Sequence, residues 1–146
     1  MFTMAIRILV PVDETLASFR TQQYLLKMKD ELKPSITLLT VIQLSKMEYR
    51  CIPDFQQEMI KKNAIKLGKQ TLERHEEEYK NAGIYTDSLL EEGGDPGKII
   101  CSVAQQDSYD MICICPNNSS EVVNIMFGSV TNYVVHNAPC PVLLVR

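Results

Sequence analysis

No stretch of this 146-residue chain approaches the roughly 20 consecutive apolar residues that a membrane-spanning helix requires, so no membrane association is expected of it. Positive charge is also scarce. Fifteen Lys and Arg stand against 18 Asp and Glu, giving a formal net charge of −3 and an isoelectric point near 5.4. Nucleic acids and anionic membranes are bound by dense fields of Lys and Arg, so neither is an expected partner. The apolar opening from Met1 to Asp13 is interrupted by Arg7 and has no small-residue cleavage site behind it, which does not read as a signal peptide. There is no Gly-x-x-x-x-Gly-Lys-Ser/Thr loop, no Cys-x-x-Cys and no His/Cys cluster, which leaves P-loop chemistry and a structural metal without support. Neither His75 nor His136 has a Cys or Ser placed as a nucleophile, and catalysis by either is not expected. Disulfide pairing is disfavoured by an odd count of five cysteines, four of which (Cys101, Cys113, Cys115 and Cys140) fall in apolar segments of the last third. A reduced, cytoplasmic setting follows.

What is present is 45% apolar residues in a chain long enough to bury about two-thirds of its unfolded surface, the make-up of one domain over residues 1–146. Strands and helices alternate along it. Ala5 to Val12 is a short branched run ending at Pro11-Val12-Asp13 and reads as a strand covered on both faces. Thr15 to Leu32 carries Thr21, Leu25, Met28 and Leu32 at helical spacing, and Lys33-Pro34 stops it. Ser35 to Ile42 is the second strand, followed by an aperiodic linker from Gln43 to Pro53. Asp54 to Ala82 is one long helix with a stripe of Ile60, Ala64, Leu67, Thr71, His75 and Tyr79, closed by Gly83. Tyr85 to Leu90 is the third strand, and Asp95-Pro96 caps a helix that ends before Asp107. Met111 to Cys115 is a fourth strand, Pro116 to Ser120 a turn, Gly128 to His136 a helix, and Val142 to Val145 the last strand. Glu76-Glu77-Glu78 reads as a solvated helix face, and Met47, Met59 and Met126 as packing.

Right-handed crossovers turn this alternation into an α/β fold, an open and mostly parallel sheet with helices on both faces. In such sheets ligands bind beyond the carboxyl ends of the strands, at the point where the order of connection reverses. Pro11-Val12-Asp13 and the loop from Pro116 meet there if their strands are central neighbours. Asp13 then faces a ligand, caps the following helix, or does both.

Val10-Pro-Val-Asp13, Leu39-Thr-Val41, Gly94-Asp-Pro96, Tyr109-Asp-Met-Ile112, Gly128-Ser-Val130 and Ala138-Pro-Cys-Pro-Val142 together resemble the universal stress protein family. The resemblance implies a Rossmann-like sheet of five parallel strands in the order 3-2-1-4-5, a cytoplasmic homodimer, and ATP or AMP in the crevice just described. Carried over by position, it places Pro11, Val12, Asp13 and the backbone of Val41 on the adenosine side. Asn118, Gly128, Ser129, Val130 and Thr131 fall on the phosphate side. Nucleotide-binding members carry Gly-x-x-Gly, nine residues, then Gly-Ser or Gly-Thr. Here the spacing is intact, but Cys115 and Asn118 occupy the first two glycine positions. Asn visits positive φ more readily than most residues, whereas Cys does not.

Between Lys98 and Arg146 there is no Lys or Arg, and Glu121 lies within the loop, so no local cation neutralises a triphosphate. Backbone N–H groups at the Gly128 helix start, the Ser129 and Thr131 hydroxyls, and a Mg²⁺ ion remain as phosphate partners. The expected function is a non-enzymatic binding or sensing module of the stress response with an altered adenine-nucleotide crevice. Two rivals stand beside it: a ligand-free interaction module, and a nucleotide hydrolase or adenylyl transferase. Cys113 and Cys115 alternate with isoleucines on one sheet face and read as core. The last strand, Val142 to Val145, presents an edge guarded only by Arg146, and pairing with a two-fold copy of itself is the expected cover.

Overall fold

A computed structural model describes residues 5–43, 51–116 and 128–146. Its elements follow the alternation of the sequence: β1 (Ile6–Pro11), α1 (Leu16–Lys27), α2 (Lys29–Leu32), β2 (Pro34–Gln43), α3 (Asp54–Asn81), β3 (Thr86–Gly93), α4 (Pro96–Gln106), β4 (Met111–Ile114), α5 (Ser129–Asn137) and β5 (Val142–Leu144). All strand pairs are parallel, in the order β3-β2-β1-β4-β5. The chain therefore leaves β1 toward one edge and returns beside it as β4, putting the connection reversal between these two strands.

Alternation along each strand sends side chains to two separate cores. Ile8, Val10, Ile36, Leu38 and Cys113 pack beneath Ala17 and Leu25 of α1 and Leu72 and Tyr79 of α3. Leu9, Leu39, Ile112 and Ile114 pack beneath Ile100, Val103 and Ala104 of α4 and Val134 of α5. Helices thus cover both faces, and the central strand is an apolar run because Ile8, Leu9 and Val10 have no exposed surface.

The structure departs from the sequence expectations in several places. The first helix divides at Met28 into α1 and α2, and Lys33 closes the second at a φ of 46° before Pro34 begins β2. Strand β3 runs on through Glu91, Glu92 and Gly93, because these pair in register with Val41, Ile42 and Gln43 of β2. In α3 the buried stripe is confined to the second half, with Gly68, Thr71, Leu72, His75 and Tyr79, while Ile60 and Leu67 are exposed. Met59 is 61% exposed and is no packing residue. Met47 and Met126 lie outside the described residues, as does most of the linker after β2. Glu76 is half-buried rather than solvated, accepting from Ser88 Oγ at 2.8 Å and pairing with Lys80 at 2.6 Å. The hydrogen bond from Lys80 holds its carboxyl below the ordinary range.

Candidate functional site

The carboxyl ends of β1, β2 and β4 and the start of α5 enclose a cavity of about 390 Å³, within the range of small-molecule sites. Pro11, Val12, Asp13, Val41, Gly128, Ser129, Val130 and Thr131 all line it. Eight of the nine residues singled out in the sequence are thereby brought together, from three separate stretches of chain. The ninth, Asn118, lies outside the described residues together with Glu121 and the rest of the turn after Pro116.

The tip of β1 is held by the backbone of its neighbour. Val12 donates its N–H to the Leu39 carbonyl at 2.8 Å, and the Thr40 hydroxyl donates to the Val12 carbonyl at 3.0 Å. Asp13 is not the N-cap residue of α1, which is Thr15. Instead its Oδ1 accepts from the Thr15 N–H at 2.9 Å, from the Ser18 hydroxyl at 3.0 Å and from the Thr15 hydroxyl, while its own N–H donates to Ser18 Oγ at 2.8 Å. An Asx turn two residues ahead of the helix follows, and one carboxylate oxygen is engaged three times. The side chain remains exposed and borders the cavity, so its structural tie leaves the carboxylate available to a ligand.

On the opposite wall, Gly128 precedes α5 at φ −57° and ψ 159° with no side-chain cap on the helix. Among the described residues, a Cβ at Gly128 would meet no atom within 4 Å. The first N–H groups of a nine-residue helix, the exposed Ser129 side chain and the buried Thr131 side chain form the polar end.

Lining residues that the sequence reading did not place at the site include Ala17, Ser18 and Thr21 of α1, and Pro96 and Ile100 of α4. The spacing of Ala17 and Thr21 is the helical i,i+4 that brings one face of α1 over the strand ends, a signal present in the sequence. Leu39 and Ile114 complete an apolar floor. An apolar floor with Asp13, Ser18, Thr21, Ser129 and Thr131 converging on it fits an amphipathic ligand with a planar apolar part and a polar tail.

Cys115, at the first altered glycine position, is buried and lines the same cavity. Burial pushes its thiol up, against the opposing charge of Arg20. Among the described residues no group of His, Cys, Asp or Glu is arranged to hold a metal ion.

The sequence profile of the universal stress protein family matches residues 4–146. A universal stress protein of Thermus aquaticus, encoded 3′ of a sulfhydrylase gene, is 34% identical over 103 residues, 67% of this chain and 72% of that protein. Universal stress protein Slr1101 of Synechocystis is 46% identical over 52 residues, 36% of this chain and 48% of the relative, so the match spans about half of that protein. Among solved structures, the hypothetical protein MJ0577 superposes with a TM-score of 0.82 at 22% identity, covering 98% of this chain and 96% of its own. The universal stress protein of Archaeoglobus fulgidus in complex with dAMP gives 0.70 at 19% identity, covering 98% and 100%. A family member from Arabidopsis thaliana with AMP bound gives 0.69 at 19%, covering 96% and 90%. At these identities the structural likeness shows the fold.

Proposed function

This chain belongs to the universal stress protein family, and we propose that it is a non-enzymatic adenine-nucleotide-binding module of the stress response, a single cytoplasmic domain acting as a homodimer. The observation that carries the reading is the convergence of Pro11, Val12, Asp13 and Val41 with Gly128, Ser129, Val130 and Thr131 on one cavity. The first four serve the adenosine end, and the second four, with Asn118, serve the phosphates. The dAMP and AMP complexes of its structural relatives support the same ligand class. Cys115 has a Cβ where the family pattern has none, so AMP or ATP is held weakly, with Mg²⁺ as an optional phosphate partner.

Thermal unfolding with added AMP, ATP and Mg²⁺ tests this. A ligand present at ten times its dissociation constant stabilises by about 1.4 kcal/mol, which raises the midpoint by roughly 3–5 °C in a domain of this size. No shift with any nucleotide at millimolar concentration favours the ligand-free interaction module instead. Sustained phosphate release that disappears in Asp13→Ala would favour the hydrolase. Replacing both Cys115 and Asn118 by Gly is expected to tighten nucleotide binding, and unchanged affinity would show that these side chains are not the obstacle.

A further inference from the structure

We infer that the cleft between the start of α1 and the last turns of α3 is a second binding site, one that takes a small alkylammonium ion.

The two helices turn matching faces toward each other. Thr15, Phe19 and Gln22 recur at i, i+4 and i+7 along α1, while His75 and Glu78 are three apart on α3 with Arg74 and Glu77 beside them. Together with Asp13 and Glu14 they line a cavity of about 240 Å³. The Thr71 hydroxyl, one turn before His75, donates to Glu14 Oε1 at 3.4 Å and ties the two walls together. Gln22 and His75 are the least exposed of the lining, at 2% and 8%. Around them stand the exposed carboxylates of Asp13, Glu14, Glu77 and Glu78, with Arg74 as the one permanent cation among the described lining residues.

Among the described residues, none of those four carboxylates is ion-paired with a Lys, Arg or His. Four negative charges thus converge on a cleft that holds one guanidinium, and concave surfaces lined mainly by one sign of charge concentrate the opposite ion. The buried floor independently lacks a partner. His75 Nδ1 is enclosed and makes no hydrogen bond among the described residues, a condition that buried polar atoms rarely keep. Burial and the Arg74 charge lower the pKa of His75 from 6.5, so at neutral pH the ring is uncharged and offers a lone pair. An ammonium group brings three N–H donors for that nitrogen and the carboxylates, and a charge that offsets theirs. Phe19, 55% exposed, gives the methylene stem an apolar wall and the cation an aromatic face. A metal ion is not the fit, because among the described residues no three His, Cys, Asp or Glu side chains are arranged to ligate one.

The test follows the two histidine ring signals by NMR while 1,4-diaminobutane is added at neutral pH and constant ionic strength, with His136→Gln used to assign them. The His75 signal should shift and saturate as a single site, and that of His136, exposed in the last turn of α5, should stay in place. Glu14→Gln and Glu78→Gln should each weaken the diamine about three- to fivefold, the scale of one exposed charge contact, and Arg74→Ala should tighten it by a similar factor. All three side chains are exposed, so these variants keep the fold. 1,4-Butanediol, which has the same stem and no charge, should leave His75 unmoved. An unshifted His75 signal at millimolar diamine overturns the inference, as do equal shifts at both histidines, which mark a general ionic effect. Affinity that the three variants leave unchanged overturns it too. A His75 response to acetate that is lost in Arg74→Ala would assign the cleft to anions and equally overturn it. Thermal shifts with AMP read the other cavity, so each of these results leaves the nucleotide reading to its own test.

Discussion

At Asp13 one carboxylate oxygen accepts from Thr15 twice and from Ser18 once, and it does so at the lip of the cavity. Asp13→Ala removes all three bonds and should lower the free energy of unfolding by about 1–2 kcal/mol in urea titrations, on the scale of a lost helix cap. His75 makes a second prediction at this scale. It is 8% exposed between α1 and α3, and its Nδ1 has no hydrogen-bond partner. Burial, then the Arg74 charge, lowers its pKa below the ordinary 6.5, against the opposing carboxylates of Asp13 and Glu78. Between the lowered folded value and 6.5 the unfolded chain binds the extra proton, so unfolding gains as pH falls. Stability should be full above about pH 7 and decline as pH drops below 6.5. His75→Gln should flatten that slope between pH 7.5 and 5.5 in denaturation experiments, and an unchanged slope would assign it to other groups. Nothing in the composition marked His75 as buried. Its place on the helical stripe did.

Among the elements, α3 ends in a full Schellman arrangement, with Gly83 N–H on the Lys80 carbonyl at 2.9 Å and Ile84 N–H on the Tyr79 carbonyl at 3.0 Å. Gly83 sits at φ 82°, the one glycine here with a positive φ, and was legible as a stop. Close packing makes another glycine indispensable for a different reason. A Cβ at Gly97 would lie 2.9 to 3.1 Å from three atoms of the Tyr133 side chain, between α4 and α5. Gly97→Ala should therefore cost roughly 1–3 kcal/mol of stability. Gly128→Ala adds a methyl that meets none of the described residues but puts a poor N-cap residue before α5, so it should cost no more than about 1 kcal/mol of stability while weakening nucleotide binding. Strand and helix types were readable wherever branched runs or 3.6-residue periods were unbroken. The division at Met28 was not, since no Gly or Pro marks it. Nor was the extension of β3, since Glu91 and Glu92 look like loop residues and are strand residues only because β2 pairs with them. The strand order came with the family resemblance, because alternation alone fixes parallel pairing and leaves sequence-distant neighbours open.

At the scale of the whole molecule, β5 is an edge strand with Val142, Leu143 and Leu144 all half-buried, and its outer backbone groups face away from β4. An antiparallel copy of the same strand would satisfy those groups and cover the apolar row. Leu143→Lys should then shift the protein to monomer in sedimentation or light scattering without unfolding it; a wild type that is already monomeric would exclude pairing through this edge. The site was legible at this scale only in part. Contacts that close over the strand ends along the chain or within the family pattern were found from residues, while the walls that α1 and α4 add through Ser18 and Ile100 were not. The five cysteine thiols are distributed in depth as well. Cys51 is exposed, Cys101 and Cys115 are buried, and Cys113 has no accessible surface, its thiol pushed up to about 12 by burial. A maleimide added to the native protein should consequently tag Cys51 within minutes and reach Cys113 only at the pace of sheet opening, so the chain carries its own clock for how often its centre is laid bare.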